Sequence, residues 1–214
     1  MIQGIFSLYA ERWPFFQELI FQHIRIASTA ILIAGTIGLI LGILISEHRK
    51  YATWIIGIIN VAYTIPSISM LGFLIPLTGI GDKTATIALT IYGLLPMVRN
   101  TYTGITTIEP SIISVAKGMG STRWQVLYKV KLPLALPVIV SGIRSMVVMT
   151  IALSGIASYI GAGGLGVAIY RGITTNNVYM TYAGSILIAI VALVSDQIVA
   201  QVERHIRRKW HLAP

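Results

Sequence analysis

Five long apolar runs, separated by charged or glycine-rich breaks, organise this chain, and each approaches the roughly 20 residues that a bilayer-spanning helix needs. Residues 26–45 carry no charge until Glu47, His48, Arg49 and Lys50 end the run. Residues 53–77 form a second run, in which Pro66 is expected to kink or break the helix and Pro76 to close it before the turn Gly79, Ile80, Gly81, Asp82, Lys83. Residues 84–105 form a third, with Pro96 inside it and Arg99 and Asn100 toward its far end. Residues 136–160 and 181–201 form the fourth and fifth, and the stretch Gly161, Ala162, Gly163, Gly164, Leu165, Gly166 between them is too flexible to continue a helix. The pattern predicts an all-α integral membrane protein with about five transmembrane helices.

The first 25 residues read differently. Glu11, Arg12, Glu18, His23 and Arg25 interrupt Trp13, Phe15, Phe16 and Phe21 at spacings that suit an amphipathic helix lying at the interface, so residues 1–25 are expected not to span. The order of basic, apolar and small residues is not that of a cleaved signal peptide, and the segment is expected to be retained. Residues 26–205 are then the transmembrane domain, residues 106–135 a cytoplasmic loop within it, and residues 206–214 a basic cytoplasmic tail.

Composition supports a membrane setting: 55% of the 214 residues are hydrophobic, 11% are charged, and the mean hydropathy is +0.79. A net charge of +9 raises the question of nucleic acid, but the cations are distributed by topology. One set of loops holds Arg49, Lys50, Lys117, Arg123, Lys129, Lys131, Arg204, Arg207, Arg208 and Lys209, whereas the other holds Arg12, Arg25, Lys83 and Arg171. The richer set is expected to be cytoplasmic, which puts the N-terminus outside and the C-terminus inside and agrees with an odd number of spans. Without cysteine, disulfides, thiolate nucleophiles and Cys-ligated metals are excluded.

The loop from Glu109 to Pro137, EPSIISVAKGMGSTRWQVLYKVKLPLALP, carries the most specific signal. Pro110 can open a helix, Gly118 and Gly120 can end it, and Ser121 or Thr122 can cap a second helix running through Tyr128. Gly120 would allow close backbone approach, and Pro133 and Pro137 would redirect the chain into the bilayer. Two short helices and a turn would present a small rigid surface suited to docking another protein.

Ser114, Val115 and Ala116, then Lys117 and Gly118, then Gly120, and then Val130, Leu132 and Pro133 follow a spacing that resembles the EAA loop of ABC importer permeases. In that family the pattern is Glu-Ala-Ala, three residues, Gly, nine residues, then Ile-x-Leu-Pro. Ser114 and Val115 depart from it, and the resemblance leaves Glu109 or the Ser114 hydroxyl to stand in for the family's Glu. It implies the type I importer architecture found in methionine permeases, coupling by this loop to a cytoplasmic ABC ATPase dimer, a second permease subunit identical or homologous to this one, and an extracytoplasmic substrate-binding protein. It also implies no cofactor on this chain, ATP and Mg on the partner ATPase, no nucleic-acid partner, and a place in the prokaryotic inner membrane. Within the family, Gly93 to Pro96, Arg99 to Ile105, Ile160 to Gly166 and Tyr170 to Ile173 look like the permeases of osmoprotectant importers for glycine betaine, carnitine or choline. Methionine-type permeases share the five-span plan and remain the alternative, and a channel subunit working without ATP is a further one.

Polar residues within spans turn away from lipid toward partner helices or a path. Tyr63, Ser67, Tyr92, Ser154 and Ser158 are the candidates for path lining, against the simpler reading that each bonds its own helix or packs between helices. For a quaternary ammonium cargo, the negative ring faces of Tyr63 and Tyr92 would be suitable neighbours. Arg99 and Arg144 are expected to snorkel to the headgroups, and Asp196 is a candidate either for function or for a helix-end ion pair. His23, His48, His205 and His211 are read as lying outside the spans, and they form no His-Glu-x-x-His arrangement. The loop Gly161–Gly166 lacks the Lys-Ser or Lys-Thr of a phosphate-binding loop, so ATP binding belongs to a partner.

Overall fold

Proline and glycine positions decide where the apolar runs begin, bend and stop. The computed structural model describes residues 2–209, and every regular element among them is helical. A short helix α1 (Ile2–Glu11) precedes a 35-residue helix α2 (Trp13–Glu47), about 50 Å long, with Pro14 in its first turn, where a missing N–H costs nothing. The expected boundary at residue 26 is therefore wrong: residues 13–25 belong to the first long helix. Phe16, Leu19, His23, Ile26, Ala30, Ala34, Gly38, Gly42 and Ile45 form one buried stripe along it, while Glu18 and Arg25 project from the exposed face. His23 accordingly lies inside the bundle, 1% exposed, and not outside it. The separate helix α1 buries Ile5 in a cluster with Phe16, Leu19 and Leu165.

The second run becomes two helices, α3 (Arg49–Thr64) and α4 (Ser67–Thr78), bent by 99° at Ile65 and Pro66. Pro66 has no N–H to continue the ladder and holds the residue before it extended, with ψ 126° at Ile65. Pro76, expected to close the run, lies within α4, and the chain turns instead at Gly79 and Gly81, whose φ values of +85° and +111° favour glycine.

Helix α5 (Asp82–Thr106) is the centre of the bundle, enclosed by α2, α3, α4 and α8 (Leu132–Ser154). Small residues make the enclosure possible. A Cβ on Gly38 would lie 2.7 Å from the Met97 Cβ, one on Gly42 2.5 Å from the Thr101 Cβ, and one on Gly142 2.6 Å from the Asn100 Cβ. Backbones thus touch on both sides of α5, as packing in lipid requires where hydrophobicity does not drive helices together.

After α5 come α6 (Pro110–Gly118) and α7 (Arg123–Val126), which runs through a π-helical turn at Leu127–Lys131 into α8. The prolines at 133 and 137 do not redirect the chain; both lie inside the continuous helical rod. Pro133 cannot donate to the carbonyl of Lys129, and the π turn widens the helix where an α-helical ladder would have met the ring. A 3₁₀ segment (Gly155–Ile160), helix α9 (Gly166–Thr174) and α10 (Val178–Lys209) complete the described chain. The basic tail expected from residue 206 is partly the end of α10, and residues 210–214 lie outside the described residues.

Among the described residues, Trp13–Glu47, Arg123–Ile160 and Val178–Ile206 are each long and apolar enough to cross a membrane, with the bent pair α3–α4 a fourth if it counts as one span. Helix α5 falls short on composition because protein, not lipid, surrounds Thr84, Tyr92, Asn100 and Thr101.

Candidate coupling and translocation sites

The loop that follows α5 is built by local rules. Pro110 opens α6, and Lys117 sits in its last turn, where a cation opposes the helix dipole. The helix ends in a Schellman motif, with Gly120 N donating to Lys117 O at 2.9 Å and Ser121 N to Ala116 O at 3.2 Å. Gly120 has φ +86°, and a Cβ there would meet nothing within 4 Å among the described residues, so within this chain its glycine serves the turn. Thr122, not Ser121, caps the next helix: its Oγ1 accepts from Gln125 N at 3.3 Å, and Gln125 Oε1 accepts from Thr122 N at 2.8 Å.

The predicted coupling residues divide into two groups. Ser114, Val115, Lys117, Gly118 and Gly120 are exposed, Ala116 is half-buried, and α6 buries no residue at all. Val115 is 63% exposed and Met119 82%, which leaves an apolar face without cover. Val130, Leu132 and Pro133, by contrast, are half-buried in the π turn and the first turn of α8, where Leu132 packs with Ile105, Ile108 and Ala135. The second group anchors the element that the first group displays. The Ser114 hydroxyl donates to Pro110 O at 2.9 Å and Glu109 accepts from Ser111, so both stand-ins for the family's Glu are engaged locally.

Of the path candidates, Tyr63 is exposed and Ser67 half-buried, both flanking the break at Pro66. Tyr92 is 5% exposed; its ring meets Tyr63 edge-on at 5.9 Å, and its hydroxyl donates to Ile65 O, a carbonyl freed by the break. Ser154 is buried, donates to Ile151 O at 2.7 Å and lies 2.9 Å from His23 Nε2, while Ser158 donates to Gly155 O. In this conformation Tyr92 and Ser154 tie neighbouring helices together, Ser158 bonds within its own segment, and Tyr63 is exposed with Ser67 half-buried on the other side of the break.

Two polar clusters tie distant parts of the chain together, the first of them not foreseen from the sequence. At one end of the bundle Arg25 pairs with Asp82, whose other oxygen accepts from Gly163 N at 3.3 Å, and Gln22 Oε1 accepts from Gly164 N at 3.1 Å. These bonds fix the glycine loop to α2 and α5, so the segment read as flexible is held in place. Nearby, the Tyr9 hydroxyl donates to Ala183 O at 2.8 Å, and burial raises its pKa above the ordinary value. Toward the other end Arg144 makes two bonds to Asp196, at 2.6 and 2.7 Å, and Arg99 donates to Asn60 Oδ1 at 2.9 Å. Both arginines have protein partners, and Asp196 takes the ion-pair role that was one of its two readings.

A helical bundle with a broken span, a central small-residue-packed helix and an uncovered helix between spans defines a membrane transport subunit. Its fold is that of the permease in the inward-facing MetNI methionine ABC transporter, with a TM-score of 0.82 at 23% identity over 89% of this chain and 95% of that one. Residues 34–208 match the family described as binding-protein-dependent transport system inner membrane component, and the chain belongs to it: it is an inner-membrane permease subunit of an ABC importer, not an enzyme. It is 38% identical to the glycine betaine/carnitine/choline transport system permease protein OpuCD of Bacillus subtilis, over 95% of this chain and 90% of that protein. It is 41% identical to the osmoprotectant import permease protein OsmW of Salmonella typhimurium, over 87% of this chain and 89% of that protein.

Proposed function

We propose that this chain forms the membrane pathway of an importer for quaternary-ammonium osmoprotectants such as glycine betaine, carnitine and choline. The observation that carries the cargo is identity over most of both chains with two permeases, one at 38% named for glycine betaine, carnitine and choline and one at 41% named for osmoprotectant import. Likeness to a methionine transporter at 23% identity speaks to the fold and leaves the cargo to the nearer relatives.

In this reading the end of the bundle bearing α6 is cytoplasmic, the N-terminus is outside, and α6 with Met119 and Gly120 seats in a groove of a separate ATPase that holds ATP and Mg²⁺. Two permease subunits line the pathway, and an extracytoplasmic binding protein delivers cargo to the end marked by Arg25 and Asp82. ATP-driven closure of the ATPase pair moves α6. The continuous rod from Arg123 to Ile160 carries that movement across the bundle, and the uncovered apolar face of α6 supports the docking role. Tyr63 offers an aromatic face to a cation that donates no hydrogen bond.

The test is uptake of labelled glycine betaine, carnitine, choline and methionine at high salt by source cells with and without this gene. Loss of quaternary-ammonium uptake alone, restored by the gene, is the expected result; loss of methionine uptake alone would overturn the cargo while leaving the permease.

A further inference from the structure

A cleft of about 460 Å³ opens between the last turns of α2 and the start of the rod at Arg123, a size that accepts a small ligand. Ile40, Ile43, Leu44 and Leu127 give it an apolar floor, and Trp124 and Tyr128 stack along its rim with ring centroids 6.0 Å apart. Both rings are largely exposed, at 69% and 62%. One carboxylate borders the cleft, Glu47, and Lys131 neutralises it at 2.5 Å. Arg123 has no acidic partner among the described residues, and His48 uses only Nδ1, toward Leu44 O.

The floor continues beyond the cleft. Ile33, Ile37, Ile40 and Leu44 are each 40–52% exposed and recur at helical spacing along one side of α2. Eleven residues of helix rise about 16 Å, which matches half of a hydrocarbon core about 30 Å thick. The stripe therefore has the length of one leaflet's acyl chain and ends where the apolar run gives way to Glu47, His48, Arg49 and Lys50. At that height an unpaired guanidinium beside two stacked interfacial aromatics is complementary to a phosphodiester.

We propose that this cleft is a site for one anionic phospholipid, its phosphate on Arg123, its upper methylenes between Leu44 and Trp124, and its acyl chain along Ile40, Ile37 and Ile33. The lipid bridges the end of α2 and the base of the rod that carries the coupling helix, so lipid charge would bear on coupling. The assignment is independent of cargo.

The test uses the full chain in nanodiscs of mixed phosphatidylcholine and phosphatidylglycerol, with bromine placed on one lipid or the other. Trp124 is the sole tryptophan, after Trp13, Trp54 and Trp210 are changed to Phe. Bromine on phosphatidylglycerol is expected to quench Trp124 about fivefold more per lipid than bromine on phosphatidylcholine, as one cation near an anionic surface implies. Arg123→Gln should bring the ratio near one and Arg123→Lys should keep part of it. A chain retaining only Trp54, which is 76% exposed, should show no preference. Inorganic phosphate at millimolar concentration should leave the ratio unchanged; its loss would mean a site for free phosphate. Equal quenching by both lipids, a preference unmoved by Arg123→Gln, or Trp124 shielded from both by a protein partner would overturn the proposal.

Discussion

Arg144 on α8 holds Asp196 on α10 through two parallel hydrogen bonds, and its Nη1 lies 3.8 Å from Glu203 one helical stretch further on. The fork geometry fixes both spacing and rotation between the two helices. Asp196→Asn keeps the shape and removes the charge. It should lower the thermal midpoint of the purified chain, and exchanging the pair, Arg144→Asp with Asp196→Arg, should recover part of the loss. A midpoint unchanged in Asp196→Asn would mean that the pair is incidental to packing.

The seam between α2 and α5 tolerates no side chain at Gly42, where a Cβ would fall 2.5 Å from the Thr101 Cβ. Gly42→Leu should cost about 1–3 kcal/mol or abolish a stable fold, as overpacking does. Gly57→Leu is the matched control, since nothing lies within 4 Å of a Cβ there. Thermal unfolding in detergent separates the two, and equal midpoints would contradict the packing described.

Thr101 and Thr150 bury their hydroxyl oxygens without a hydrogen-bond partner among the described residues. An unsatisfied buried hydroxyl costs about 1–3 kcal/mol, so Thr101→Val and Thr150→Val should be neutral or stabilising by about 1 kcal/mol. A fall in the midpoint of either variant would reveal a partner for that oxygen in the assembled transporter.

Gly120 closes the Schellman turn at φ +86°. Gly120→Ala adds a Cβ in the left-handed region at about 1–2 kcal/mol and should loosen the turn that follows α6, while membrane insertion and bundle stability stay as they are. Uptake by the assembled transporter should fall while its ATP hydrolysis persists. Proportional loss of both, with ATPase subunits still bound, would assign Gly120 a role other than coupling.

Much of this was legible in the chain because lipid imposes simple demands. The apolar runs located the long helices, Pro66 announced the break between α3 and α4, and the spacing from Pro110 to Gly120 predicted a helix and its end. The reading failed where tertiary contacts overrule local character. Glu18, His23 and Arg25 looked like an end to the apolar pattern, yet they sit on one helix with Phe16 and Leu19, and His23 alone among them turns inward, to Ser154 and Ile151 O. Pro133 looked like a corner, and a π turn absorbs it. Gly163 and Gly164 looked loose, and their N–H groups are taken by Asp82 and Gln22, residues 81 and 142 positions away. The Tyr92 hydroxyl caps the carbonyl that the break leaves free, a bond to a residue 27 positions away. No local signal marks such partners; only the folded topology brings them together.

The chain has no cysteine, so Val115→Cys places a single thiol on the exposed face of α6. In membranes containing the assembled transporter, a short bifunctional maleimide should join this thiol to the ATPase subunit in high yield, and a bulky maleimide should reach it far more slowly than in the isolated chain. Leu193→Cys, on the exposed side of α10, should form no such link. A thiol at position 115 that labels as fast in the assembled, transporting complex as in the isolated chain, with no crosslink to an ATPase, would contradict the coupling account.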